Sequence, residues 1–173
     1  MEKERKELHW YENVEPDFST AEEGSDKEDQ KKVSLAKYAA DAYQWIEEVS
    51  VELEEQERKD IAWSVLRGVL HAIRDRLIPE EMFQLSAQLP MLIRGLYFEG
   101  YHYGDKPEKF HVEELEKRIK AAVAFPVDAK QAFKAVLQVL YKHISKGELN
   151  DIYATMPKDI KQLWDDCLKT NTP

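Results

Sequence analysis

Two glutamate–histidine pairs in this chain have a spacing that is found in metal-binding helices. They are Glu99 with His102 and Glu108 with His111, and in each pair the histidine follows the glutamate by three positions. Positions i and i+3 share a helix face, so di-iron helical bundles hold their metal with two such pairs on separate packed helices. Here both pairs lie close together in sequence, and the first runs into a turn at Gly104. We therefore expect solvated side chains, with no metal site and no cofactor.

Nucleophilic catalysis has no better support. The only cysteine, Cys167, lies beside an apolar stripe near the C-terminus, which favours a small core residue over a nucleophile. His71 and His143 lie next to charged residues on predicted helices, which indicates surface histidines rather than catalytic bases. The sequence contains no glycine-rich phosphate-binding loop. It therefore predicts a protein that is not an enzyme.

A basic stripe follows one face of the second predicted helix. It consists of Arg67, His71 and Arg74, at positions i, i+4 and i+7. In an acidic protein this stripe could bind an acidic partner. We instead expect it to pair within the chain with the first predicted helix, since oppositely charged side chains on neighbouring helices form ion pairs. The outer face of that helix carries six glutamates: Glu47, Glu48, Glu52, Glu54, Glu55 and Glu57.

The candidate binding surface is a cluster of aromatic and basic residues after Pro90, which we call the aromatic-basic patch. Tyrosine, phenylalanine and arginine supply much of the binding energy at protein interfaces. The second half of the chain has lysine, glutamine, tryptophan and aspartate in the matching stretch. The alternative is that these side chains only seal the seam between the two halves. The patch consists of Arg94, Tyr97, Phe98, Tyr101, His102 and Tyr103.

Periodic apolar residues predict helices around all of these candidates, and no strand. From residue 33 onward, apolar side chains recur at steps of three and four. Pro90 breaks one helical stretch, and Ser145 with Glu148 has the spacing of a capping box at the start of another. Gly68 and Gly95 lie inside helical stretches and predict close helix crossings. The fold class is therefore all-α.

The two halves of the chain align without a gap at a single offset. Pro90 and Pro157 lie 67 positions apart (157 − 90), and the same offset superposes apolar residues over a long stretch. The helices before that stretch pair less cleanly, at an offset three longer. A single offset that also matches two prolines is hard to obtain by chance. We predict two tandem four-helix repeats, at about 33–103 and 108–169, packed into one bundle about a pseudo-twofold axis. Matched positions include Val69 with Val136, Leu70 with Leu137, Glu81 with Glu148, Ile93 with Ile160 and Leu96 with Leu163.

The repeated segments also resemble a known family. LHAIRDRLIPEE at Leu70–Glu81 and QLPMLIRGLYFEGY at Gln88–Tyr101 are similar to the bacterial "domain of unknown function 2267" family. VLQVLYKHISKGELNDIYATMPKDIKQLW at Val136–Trp164 fits the C-terminal half of that family. The resemblance covers about residues 33–168. It implies a small all-helical bacterial protein and carries no activity with it.

Residues 1–32 predict a charged tail ahead of a single all-helical domain at 33–173. The stretch GSDKEDQKK has no periodicity and no apolar anchor. LHWYENVEPDF contains Trp10, Tyr11 and Phe18, which we expect to dock on the helical body because exposed aromatic side chains are costly in water. A short linear motif for another protein is the alternative.

Charge and composition limit the remaining classes of function. The net charge is −9 and the pI is about 5.1, which opposes binding to nucleic acid or to an anionic membrane. A charged N-terminus without a signal peptide indicates a cytoplasmic protein. We expect a non-enzymatic protein-interaction or scaffold module, with another protein or a second copy of the chain as partner. The alternative is a small-molecule or metal-binding protein with a site between the repeats, near Glu99, His102 and His111.

Overall fold

The computed structural model describes residues 35–104 and 106–169, and these residues form α-helices and no strand. This confirms the predicted all-α bundle. The expected docking of Trp10, Tyr11 and Phe18 concerns residues that lie outside the described ranges. The helices are α1 (Leu35–Glu52), α2 (Lys59–Arg76), α3 (Pro79–Gln88), α4 (Met91–Phe98), α5 (Val112–Ala121), α6 (Ala129–His143), α7 (Lys146–Thr155) and α8 (Lys158–Lys169).

Helix boundaries follow the proline and capping signals. Pro79 occupies the first turn of α3, where its missing N–H breaks no helical hydrogen bond. Pro90 immediately precedes α4. Asp128 caps α6, since its carboxylate accepts a hydrogen bond of 2.8 Å from the backbone N–H of Lys130.

Helices α2 and α6 form the centre of the bundle. Helix α2 contacts α1, α4, α5 and α6, while α6 contacts α1, α2, α5 and α8. A helix that is surrounded on several sides must be apolar over more than one face. The residues buried by the two helices accordingly include Val65, Leu66, Val69, Leu70 and Ile73 on α2, and Phe133, Val136, Leu137, Val139 and Leu140 on α6.

The two halves share the bounds of one helix and a side-chain contact. Helix α7 begins and ends 67 positions after α3. The Arg94 guanidinium donates to the carbonyl oxygen of Ala87 at 3.2 Å, and the Lys161 ammonium donates to that of Ala154 at 2.9 Å, at the same offset. The first helices differ, because α1 has 18 residues and α5 has 10. The pseudo-twofold relation between the halves stays a prediction.

The two helical glycines have different surroundings. A Cβ atom on Gly68 would lie 2.7 Å from the Cβ of Ala122, so α2 passes close to the C-terminal end of α5. A Cβ atom on Gly95 would meet nothing within 4 Å. The predicted close crossing is confirmed at Gly68 and wrong at Gly95, which borders open space instead.

No helix within the described ranges is long and apolar enough to span a bilayer.

Candidate functional site

The aromatic-basic patch is divided between the core and the surface. Tyr97 is fully buried, and its hydroxyl donates to the carbonyl oxygen of Met82 at 3.3 Å. The half-buried ring of Phe98 packs edge-on against Tyr97 and Tyr101, with centroid distances of 5.1 and 6.3 Å. These three rings therefore pack behind α4 through contacts within the first half of the chain.

The other members of the patch reach the surface. Arg94, His102 and Tyr103 are exposed, and Tyr103 retains 76% of its accessible surface. The Arg94 guanidinium covers the end of α3, where it donates to the carbonyl oxygens of Ala87 and Leu89 at 3.2 and 3.1 Å. The surface available to a partner is thus smaller than the predicted patch.

The basic stripe binds the C-terminal end of α4 rather than the glutamates of α1. The Nε2 atom of His71 donates to the carbonyl oxygen of Leu96 at 2.7 Å. The Arg74 guanidinium donates to the carbonyl oxygens of Tyr97 and Glu99 at 2.6 and 2.9 Å. The predicted pairing with α1 is wrong, because the last carbonyls of a helix lack helical partners and favour positive charge.

The glutamates of α1 pair with α6 and with the start of α2 instead. The carboxylate of Glu48 accepts from Nε2 of His143 at 2.9 Å, and that of Glu52 accepts from Nζ of Lys142 at 2.9 Å. Glu47 pairs with Lys59. Burial of Glu48 opposes its charge, but hydrogen bonds from Gln44 and His143 lower the pKa of its carboxyl below the ordinary value.

Burial controls the protonation of two groups that were considered as catalytic. Burial lowers the pKa of His71 below its ordinary value, and the positive charge of Arg74 lowers it further. Burial also raises the pKa of the Cys167 thiol to about 11. A thiol with that pKa is not a thiolate at neutral pH. Both residues thus hold structural positions, with Cys167 in the core as predicted.

A network of charged side chains joins α2 to the segment before α5. The carboxylate of Asp75 accepts from Nε of Arg74 at 2.8 Å and from Nζ of Lys106 at 3.1 Å. Glu108 accepts from Lys106 and, at 2.5 Å, from Arg118. Burial opposes the charge of Glu108, but these two hydrogen bonds lower the pKa of its carboxyl.

The two glutamate–histidine pairs do not converge. The Glu99 carboxylate lies 3.7 Å from the Arg67 guanidinium, and Glu108 belongs to the charged network. His111 lies 3.1 Å from Asp159, whose carboxylate also caps the first backbone N–H of α5. Within residues 35–104 and 106–169, no group of three or more histidine, cysteine, aspartate or glutamate side chains is placed to hold a metal ion.

The predicted capping box at α7 is half formed. The hydroxyl of Ser145 accepts from the backbone N–H of Glu148 at 3.3 Å, as expected. The backbone N–H of Ser145 donates to the side-chain oxygen of Gln88 at 2.8 Å, so α3 replaces Glu148 as its partner. One carboxylate oxygen of Glu148 is buried and accepts no hydrogen bond from any described residue. Burial, together with the charges of Glu81 and Asp151, raises the pKa of Glu148.

An apolar groove between α1, α2 and α4 was not predicted from the sequence, and we call it the α4 groove. It consists of two adjoining cavities of about 420 and 500 Å³. Leu92, Tyr43 and Met91 are 47, 69 and 55% exposed there. The first cavity is lined by Ala39, Ala42, Tyr43, Ile46, Trp63 and Leu92, and the second by Trp63, Met91, Leu92, Gly95, Leu96 and Glu99.

The matching place in the second half is polar. At an offset of 67, Met91, Leu92 and Gly95 correspond to charged or amide side chains. A cavity of about 460 Å³ lies there, lined by His111, Lys158, Asp159 and Gln162. The exchange of apolar for charged residues at matched helix positions is the sequence signal that could have revealed the groove.

The described residues form an all-α bundle with an apolar groove on its first half. Residues 42–163 match a family described as an uncharacterized conserved protein, DUF2267. This match spans more than half of the chain, and the chain belongs to the DUF2267 family. No curated protein matches the chain.

Proposed function

We propose that this DUF2267 protein is a non-enzymatic protein-interaction module whose α4 groove binds an apolar segment of a partner protein. The observation that carries the proposal is the exposure of Tyr43, Met91 and Leu92 around Trp63. Folded proteins rarely leave contiguous large apolar side chains in water unless the surface binds a partner. Most other large apolar side chains of the described residues lie in the core.

The shape of the groove suits an amphipathic helix. Such a helix presents apolar side chains at positions i, i+3, i+4 and i+7 along one face. Two of these side chains would enter the two cavities, which adjoin at Trp63 and Leu92. Glu99 lines the second cavity, and its ion pair with Arg67 supplies a polar rim there.

The exposed members of the aromatic-basic patch extend this surface. Arg94 lies on α4 itself, and His102 and Tyr103 follow it in the chain. In this proposal the buried ring of Tyr97 and the half-buried ring of Phe98 hold α4 in place, while the exposed residues contact the partner beyond the groove.

We further infer a bacterial, cytoplasmic setting with a protein as the partner. The resemblance of the repeated segments supports a bacterial source. A single cysteine, which cannot form an intramolecular disulfide, supports a reducing compartment. The net charge of −9 opposes contact with nucleic acid. A second copy of the chain remains an alternative partner.

The size of the groove also supports the alternative, a small-molecule site. Sites for small ligands are clefts of about 300–1,000 Å³, mostly apolar, and the cavity at Tyr43 has about 420 Å³. The cavity supports a small-molecule site in the first half more than one near His111, which contacts Asp159. A thermal-shift screen with apolar metabolites tests it, since ligand at 100 times its dissociation constant adds about 2.7 kcal/mol.

Affinity capture from native lysate with matched variants tests the interaction proposal. Leu92→Asp introduces the residue found at the matching position 159, whereas Ile78→Asp places the same charge at a comparably exposed site outside the groove. We expect the amount of captured partner protein to fall at least about tenfold with Leu92→Asp, which is equivalent to about 1.4 kcal/mol of binding free energy. With Ile78→Asp we expect the captured amount to be unchanged. Equal capture by both variants contradicts the proposal.

A further inference from the structure

We propose that a polar cavity between α2 and α5 binds a small zwitterion of the α-amino acid class. The cavity has a volume of about 170 Å³, and we call it the α2–α5 cavity. Its polar lining consists of His71, Arg74 and Asp75 on α2 and Arg118 on α5. It shares no lining residue with the α4 groove, so this inference does not depend on the proposed function.

Two arginines that line the cavity keep a donor group without an acceptor. Arg74 is only 4% exposed, and its Nε and Nη1 atoms donate to Asp75 and to two backbone carbonyls at the end of α4. Its Nη2 atom donates to no described residue. Arg118 uses Nε and Nη2 for two glutamates, while its Nη1 atom lies 3.6 Å from Oδ2 of Asp75, too far for a normal hydrogen bond.

Two acceptor atoms of the lining are free as well. Nε2 of His71 donates to the carbonyl oxygen of Leu96, so Nδ1 of the neutral ring carries a lone pair. Burial lowers the pKa of His71 and keeps the ring neutral at pH 7. Oδ1 of Asp75 is held by Arg74 and Lys106, but Oδ2 accepts no hydrogen bond from the residues that the structure describes.

This set of free atoms fits a ligand that carries both charges. A carboxylate accepts from guanidinium groups, and an ammonium group donates to an imidazole nitrogen and a carboxylate oxygen. A simple anion would leave both acceptors unpaired and would meet the charge of Asp75. The donor and acceptor sets also adjoin, since Nε of Arg74 lies 2.8 Å from Oδ1 of Asp75. An α-amino acid carries its two charged groups on one carbon atom.

The remaining lining limits the size of the ligand. It consists of Gly68, Ala72 and Ala122, which have small side chains without polar atoms. A water molecule occupies about 30 Å³, so the cavity has the volume of about six waters. We therefore expect an amino acid with a small apolar side chain, and L-alanine is the probe of choice.

Nitrogen-15 NMR of the full chain with labelled histidine tests the inference without a substitution. The resonance of an unprotonated Nδ1 responds to a hydrogen bond that it accepts. Titration with L-alanine should move the His71 Nδ1 resonance by more than its linewidth and to saturation. His143, which pairs with Glu48 outside the cavity, should not respond. A His71 resonance that stays unmoved at millimolar L-alanine overturns the inference and leaves a cavity filled by water only.

Propionate and ethylamine test whether both charged groups are needed. Each has the carbon skeleton of part of L-alanine and lacks one of its two charged groups. Each should bind at least about tenfold more weakly than L-alanine, because either the acceptors or the donors of the cavity stay unpaired. Propionate that binds as tightly as L-alanine would overturn the amino acid class in favour of a simple anion. Ethylamine that binds as tightly would overturn it in favour of a simple cation.

Two neighbouring residues on α5 supply matched variants for calorimetric titration. Arg118→Gln removes a free donor and should raise the dissociation constant of L-alanine at least about tenfold. Lys117→Gln makes the same charge change at a side chain that is 78% exposed outside the cavity, and it should leave the constant unchanged. Equal affinity in both variants overturns the inference. Thermal unfolding without ligand checks that each variant folds, and the three probes decide with the natural chain if Arg118→Gln does not.

Discussion

Trp63 on α2 and Leu92 on α4 together line both cavities of the α4 groove. Helices α2 and α4 contact each other, and these two shared lining residues make the groove continuous. An apolar surface that remains partly open to water at a helix junction is one on which a partner's side chains can complete the packing.

The exposed position of Leu92 predicts that charge there changes binding and not folding. Leu92→Asp should alter the free energy of unfolding by no more than about 0.5 kcal/mol, since exposed substitutions away from special features have small effects. Ile78→Asp should stabilise the protein by about 1 kcal/mol, because aspartate at this helix N-cap can accept from the free N–H groups of α3. Urea denaturation measures both, and a large loss of stability in Leu92→Asp would show that Leu92 is part of the core.

The two helical glycines predict substitutions with opposite effects. Gly68→Ala should destabilise the protein by about 1–3 kcal/mol, because its Cβ would overlap that of Ala122 at a packed helix crossing. Gly95→Ala should stabilise it by up to about 1 kcal/mol, since alanine favours the helix and meets open space. Thermal unfolding of the two variants side by side provides the comparison. Equal effects would contradict the close approach of α2 to α5.

His71 predicts a loss of stability in weak acid. Its pKa is lowered from the ordinary value of 6.5 in the folded protein, chiefly by burial. The unfolded chain therefore binds a proton at His71 more readily than the folded protein does. The contribution of His71 to stability is complete above pH 6.5 and declines as the pH falls below that value. His71→Gln keeps a donor for Leu96 and should flatten this dependence between pH 7 and 5. Urea denaturation across that range measures it, and the exposed His102→Gln variant should retain the slope of the natural protein.

Glu148 predicts the opposite pH dependence. Burial and the charges of Glu81 and Asp151 raise its pKa above the ordinary 4.5. The folded protein then holds the proton more tightly, so this stabilisation is present in acid and lost as pH rises through the raised pKa. At pH 7, Glu148→Gln should stabilise the protein by about 1 kcal/mol. The substitution removes the negative charge of a carboxylate of which one buried oxygen has no partner among the described residues. Calorimetry measures the stability of this variant and of the exposed control Glu57→Gln. Equal changes in the free energy of unfolding in the two variants would refute the prediction.

Much of the fold could be predicted because the signals are local. The proline at the start of α3, the break at Pro90 and the cap at Asp128 act through backbone geometry and hydrogen bonds within a few residues. Periodic apolar residues then identify the helices, and the family resemblance is confirmed by the match at 42–163.

The residue types of the first half alone could not predict the candidate surface, because exposure depends on which helix lies opposite. Tyr97 and Tyr103 have the same side chain, yet the first is buried and the second is exposed. Leu92 continues the apolar pattern of α4 but faces the groove instead of the core. Likewise, the partner of His71 is the backbone carbonyl of Leu96 near the end of α4, and residue types do not reveal which backbone carbonyl a side chain will contact.

Site-specific photo-crosslinking in the native cell tests the interaction account most directly. A photoreactive phenylalanine analogue at position 92 should crosslink a defined partner protein, because this position lies in both cavities. The same analogue at position 78, which is comparably exposed outside the groove, should give no crosslink to that partner. A partner crosslinked equally from both positions, or from position 78 alone, would contradict the account.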